Sequence, residues 1–141
     1  MSDASSFLDQ LRADGVVRHA EARLVPLTGG VSSEIYLVED GDDRFVVKRA
    51  LAKLKVVAEW FADVGRNAHE REFIRYVSRF LPAAMPALRG CPDARDYFAM
   101  EFLGDGFQNW KQLLLKGEAS EAHAAQAGEL LATIHRQSAG D

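Results

Sequence analysis

The sequence predicts an α+β fold: an antiparallel sheet of about five strands, one helix inserted after the third, and further helices behind it. Three observations carry this expectation. Short stretches rich in Val, Leu, Ile, Tyr and Phe recur between Arg23 and Arg49, separated by glycine-bearing turns. A segment with apolar residues three and four apart then runs from about Asn67 to Phe80. Beyond Gly104-Asp105-Gly106 the apolar spacing is helical.

In chain order, Ser5 and Ser6 are placed to cap a short helix with Phe7, Leu8 and Leu11 on one face, ended by Asp14-Gly15. This reads as a lead-in segment over residues 1–22. Arg23 to Leu27, Glu34 to Glu39 and Arg44 to Arg49 read as three strands. Thr28-Gly29-Gly30-Val31-Ser32-Ser33 joins the first two, and Asp40-Gly41-Asp42-Asp43 joins the second to the third. The Asp-Gly pair signals a tight hairpin, so the three strands form a meander. A mixed segment, Ala50 to Gly65, contains Lys53, Lys55 and Trp60 and leads to the helix from Asn67, which Pro82 ends. Met85 to Arg89 and Tyr97 to Leu103 are two further strand candidates around the turn-like Gly90-Cys91-Pro92-Asp93. Helices are expected at Trp110 to Leu115 and from Ser120 to about Gln137, the second with Ala127, Leu130, Leu131 and Ile134 on one face.

A chain of 141 residues is the size of one ordinary domain. Its 48% hydrophobic and 27% charged residues are those of a globular protein. Lys and Arg number 17 against 21 Asp and Glu, for a net charge of -4, so no global field recruits nucleic acid or an anionic membrane. An anion site must therefore be local. Cys91 is the only cysteine, which excludes an internal disulfide framework and a cysteine-rich zinc site and fits a reducing compartment. The amino terminus has no basic-then-apolar leader, and no apolar run reaches the length that spans a bilayer. A cytoplasmic location is expected.

Several residues carry chemistry under one reading and plain structure under another. Gly29-Gly30 is either a hairpin turn or a stretch of backbone that approaches a phosphate, with Ser32 and Ser33 adding hydroxyl donors. No Gly-Lys-Ser or Gly-Lys-Thr follows, so it is not a Walker A loop. Lys48 ends Phe45-Val46-Val47, and alternation puts it on the face of Val46. Its stem either covers apolar surface or its ammonium meets the phosphates of a nucleotide whose base rests on Val46. On the following helix Glu70 stands three before Phe73, four before Ile74 and seven before Val77, on the apolar face, whereas Glu72 aligns with Tyr76 and Arg79 and faces water. Lys48 is the natural partner for a carboxylate placed there. His19, His69 and His123 form no ligand spacing, and Trp60 and Trp110 suit core or interface packing.

A glycine-rich turn, a strand lysine, a glutamate on the next helix and a strand running into Met100-Glu101-Phe102-Leu103-Gly104 together resemble the amino-terminal lobe of the protein-kinase-like fold. Within it they resemble the aminoglycoside phosphotransferase family, which includes choline kinases. Val47-Lys48-Arg49-Ala50-Leu51, with Leu54-Lys55-Val56 and Trp60, is similar to the methylthioribose kinase branch. The resemblance spans roughly Leu24 to His135. It implies that Gly29, Gly30, Ser32 and Ser33 cover an ATP triphosphate, that Lys48 contacts the α and β phosphates, and that Glu70 orients Lys48. Met100 would back the adenine pocket, with the Glu101 carbonyl and Leu103 amide bonding the adenine edge.

The family's catalytic loop resembles His-Gly-Asp followed by Asn, and a later aspartate binds magnesium; neither pattern occurs here, and His135-Arg136-Gln137-Ser138 is not that loop. His135 resembles a histidine with a packing role. The resemblance thus implies a nucleotide-binding lobe at 23–103, with a hinge and the first helices of an incomplete second lobe at 104–141. The implied activity is transfer of the ATP γ-phosphate to a small-molecule hydroxyl with Mg2+, the metal ligands and catalytic half lying outside this chain. Phe102, Leu103, Phe107 and the final helix are then expected to leave an apolar patch prone to self-association. The alternative is a naturally short, non-catalytic module that binds a nucleotide or docks a protein on the same sheet.

Overall fold

The computed structural model describes residues 3–27, 33–51, 65–104 and 106–140. The chain divides into two units, Met1–Phe102 and Leu103–Asp141. The first holds helix α1 (Asp3–Ala13), strands β1 (Arg23–Pro26), β2 (Ser33–Asp40) and β3 (Asp43–Ala50), helix α2 (Arg66–Ser78), and strands β4 (Leu88–Arg89) and β5 (Tyr97–Glu101). The strands form one antiparallel sheet in the order β1-β2-β3-β5-β4. The second unit holds helices α3 (Trp110–Leu115) and α4 (Glu121–Ser138).

The β2–β3 hairpin forms where Asp-Gly demands it. Asp40 pairs with Asp43, leaving the two-residue loop Gly41-Asp42, and Gly41 takes φ +65. Glycine first in a two-residue loop is the type II′ pattern. A Cβ on Gly41 would also stand 2.9 Å from the His19 ring, so a substitution there has to displace that ring as well as adopt a positive φ.

Cross-strand partners share a face, and the register separates two sets of residues. Tyr36, Val47 and Ala99 align, as do Val38 and Phe45, and Arg49 and Tyr97. This face is covered by α1. Phe7 and Leu11 are fully buried, and the Phe7 ring lies 6.0 Å from that of Tyr36 and 5.5 Å from that of Tyr97. The opposite face carries Ile35, Lys48 and Phe98 in one row and Leu37, Val46 and Met100 in the next.

The structure departs from expectation at three elements. Helix α1 starts at Asp3, so Ser5 and Ser6 lie inside it rather than at its cap. The burial of its apolar face, not serine capping, holds it. It is also part of the sheet's core rather than a lead-in. It closes at Gly15, φ +70, where the Val16 amide donates to Leu11 O at 2.9 Å and the Gly15 amide to Arg12 O at 3.0 Å, a Schellman end. The strand expected from Met85 shortens to Leu88–Arg89, because Pro86 has no amide to give to a ladder and Pro82–Ala84 form a 3-10 turn. Strand β5 stops at Glu101 instead of Leu103, and Gly104 follows at φ +72.

Aspartates staple the sheet to its surroundings. Asp14 accepts from Arg95 Nε at 2.9 Å and from the Tyr97 hydroxyl at 2.8 Å. Buried Asp40 accepts from the Arg18 amide at 2.9 Å and from the His19 amide at 2.8 Å, with His19 Nδ1 at 3.0 Å. Burial works to raise the Asp40 pKa, but the two amides and the imidazole outweigh it, so its carboxyl titrates below the usual range. The Arg95 bond lowers Asp14 and the Arg89 bond lowers Asp43 in the same way. A carboxylate with a depressed folded pKa adds stability above its unfolded pKa and loses it as pH falls through the folded value. Urea unfolding is therefore expected to give nearly constant stability from neutral pH down to about pH 4 and a steep fall below it. In Asp40→Asn the acid fall should be shallower; an unchanged slope counts against the staple.

Candidate functional site

Two elements position the charged pair that sequence periodicity aims at one interface. Strand alternation places Lys48 beside Val46 on the sheet face opposite α1, with Ile35 and Phe98 as its cross-strand neighbours. Helix α2 presents Glu70 to the same place. Lys48 Nζ donates to Glu70 Oε1 at 2.5 Å and to Oε2 at 2.7 Å, so one ammonium engages both carboxylate oxygens. The lysine side chain is 17% exposed and the glutamate 42%, which puts the pair at the border of core and solvent with its acidic side open.

The inward face of α2 keeps Ile74 and Val77 as expected and departs at Phe73. Phe73 is 49% exposed, while Asn67, Arg71, Ile74 and Val77 are buried. Two polar side chains take inward positions because main-chain carbonyls await them. Asn67 Nδ2 donates to Lys48 O at 3.1 Å and to Asp96 O at 3.0 Å, and Arg71 Nη1 donates to Asp93 O at 3.2 Å. Arg66 adds a bond to Leu51 O at 2.7 Å. Glu70 lies one turn from Asn67 on this face. Glu72 faces solvent and pairs with Arg75, as its alignment with Arg79 implies. Asn67 is the site residue the sequence reading passed over, since an asparagine near a helix start reads as part of its boundary.

Below the pair the face is apolar. Val46 is buried and aligns with Leu37 on one side and Met100 on the other; Met100, half-buried, also aligns with Leu88. Ser33 begins β2, buried opposite Ala50. Gly29, Gly30 and Ser32 lie outside the described residues, as do Lys53, Lys55 and Trp60. Glu101 is committed to the neighbouring segment: its amide donates to Ala87 O at 2.8 Å, and its carboxylate accepts from the Ala87 amide at 2.9 Å. Leu103 opens the second unit, 44% exposed.

Within the second unit, Asn109 caps α3 by accepting from the Gln112 amide at 3.3 Å, and Ser120 caps α4. Phe107, Trp110, Leu113, His123, Ala127 and Leu130 line a groove of about 420 Å³. His135 is exposed on α4. Leu115 and Leu131 are also exposed, at 72% and 54%.

The Lys48 ammonium thus stands on the same sheet face as the apolar row of Leu37, Val46 and Met100. Among the described residues no three His, Cys, Asp or Glu side chains converge as metal ligands. No helix among them is long and apolar enough to cross a membrane. A family model described as the phosphotransferase enzyme family matches residues 23–141. No curated protein matches the chain.

Proposed function

The chain belongs to the phosphotransferase enzyme family, and from that premise we propose that its first unit binds the ATP whose γ-phosphate passes to a small-molecule hydroxyl. The single observation that carries this reading is the bidentate contact of Lys48 with Glu70, at 2.5 and 2.7 Å, beside the Val46 floor. An ammonium held by a carboxylate at one edge, with apolar side chains beside it, supplies both contacts a nucleotide needs.

In this proposal the unit is a kinase-like amino-terminal lobe. Lys48 donates to the α and β phosphates while Glu70 keeps the ammonium aimed. Val46 and Met100 border the adenine, and the turn containing Gly29, Gly30, Ser32 and Ser33 supplies donors above the phosphates. The Glu101 carbonyl bonds the adenine edge, its amide being taken by Ala87 O. Magnesium would supply charge neutralisation at the phosphates when bound, and none of the residues assigned here is its ligand. The methylthioribose kinase branch, from the run Val47 to Leu51, is the proposed branch. These residues bind and orient; none of them is assigned the proton transfer from the acceptor.

Calorimetric titration with ATP is expected to show binding between about high micromolar and millimolar, roughly 4 to 6 kcal/mol. No heat at several millimolar ATP, with or without magnesium, overturns the proposal.

A further inference from the structure

We infer that Asn67 is a positioning residue, one that holds α2 at the distance at which the Glu70 carboxylate meets the Lys48 ammonium. The inference rests on the proposed function for its consequence in nucleotide binding, but its geometry stands apart. Asn67 is 4% exposed, and both hydrogens of its amide are used, at 3.1 Å to Lys48 O and 3.0 Å to Asp96 O. The first acceptor belongs to the very residue whose side chain Glu70 holds. A closed ring of contacts results: Lys48 main chain, Asn67 amide, one helical turn, Glu70 carboxylate, Lys48 ammonium. The second acceptor, Asp96 O, also receives the Ala50 amide at 3.3 Å, so the asparagine is fixed where the end of β3 meets the start of β5.

Space filling alone gives a poor account of this residue. Asn67 Oδ1 is buried with no hydrogen-bond partner among the described residues. A buried half-satisfied amide is a costly way to fill space, whereas an apolar side chain at that position would bury no unpaired oxygen but would take the Asn67 donors from Lys48 O and Asp96 O. What an apolar side chain lacks is a pair of directed donors. Those donors set how far the first turn of α2 stands from β3, and Glu70 follows one turn later. The other tethers of α2 reach different places: Arg66 holds Leu51 O, and Arg71 holds the Asp93 carbonyl.

The test is a double-mutant cycle on the full chain without nucleotide, read by urea unfolding. Lys48→Met, Glu70→Ala and the double variant are compared in three backgrounds: Asn67 retained, Asn67→Ala, and Val77→Ala. Val77 is fully buried on the same helix and serves as a control for lost packing. With Asn67 retained, non-additivity of about fivefold in the unfolding constant is expected; in Asn67→Ala it should fall to within about twofold, and in Val77→Ala it should persist. Coupling that survives Asn67→Ala overturns the inference, as does an equal loss in Val77→Ala or additivity in the parent. Should Asn67→Ala not fold, Asn67→Ser, which keeps one donor, is read by the same cycle with the same outcomes. ATP affinity is measured separately, and Asn67→Ala should weaken it about tenfold. A parent that binds no ATP rejects the functional proposal, while the cycle still decides the role of Asn67.

Discussion

Phe7→Ala is expected to destabilise the first unit by about 3 to 5 kcal/mol, the range for removing a buried aromatic side chain. The ring has no exposed surface and is walled on several sides. Tyr36 and Tyr97 meet it at 6.0 and 5.5 Å, the latter edge-on, and the Arg49 guanidinium lies 4.4 Å above its centre. Arg49 is itself held by Glu34 at 2.6 Å, so the cavity left by alanine has a ceiling that resists collapse. Urea unfolding measures the loss. A change under about 1 kcal/mol would mean that α1 is an appendage to the sheet and not part of its core.

Lys48→Met is expected to weaken ATP at least about tenfold, or about 1.4 kcal/mol, with the sheet left folded. Methionine keeps the apolar stem and deletes the ammonium, so packing against Ile35 and Phe98 changes little while the phosphate donor is lost. Removing one charge also strands the other. At about 4 Å and an effective dielectric near 20 the attraction is roughly 4 kcal/mol before desolvation. Glu70 is 42% exposed, so solvent screening reduces the net coupling to about 1 kcal/mol in the absence of ligand. Glu70→Ala should therefore weaken ATP in parallel with Lys48→Met and show non-additivity with it. Glu72→Ala should couple to neither, because Glu72 pairs outward with Arg75. ATP affinity unchanged in Lys48→Met would leave the lysine an ordinary strand residue.

Much of this arrangement is legible along the chain, and the reason is periodicity. A period of two puts Lys48 on the face of Val46, and a period near 3.6 puts Glu70 on the inward side of its helix; each rule acts within one element and needs no knowledge of the other. The hairpin at Asp40-Gly41 is likewise local, since the loop itself requires the positive φ that glycine accepts. Helix α4 was readable from Ser120 for the same reason, its cap and apolar stripe lying within one stretch. Errors occur where the deciding partner is remote in sequence. Phe73 reads as inward from spacing alone, yet Asn67 and Arg71 take the inward places because carbonyls of Lys48, Asp96 and Asp93 await them.

The sequence by itself determined the fold class, the order of the main elements, and the facing of Lys48 and Glu70, because these follow from repeat distances and turn chemistry within short windows. Only the tertiary structure decided that α1 is core, that β4 is reduced to Leu88–Arg89, and that the two charges meet at 2.5 and 2.7 Å. Those outcomes depend on long-range packing and on which backbone groups remain to be bonded once the sheet has formed. A buried amide such as Asn67 goes where unpaired carbonyls lie, and the positions of those carbonyls exist only after strands far apart in sequence have come together.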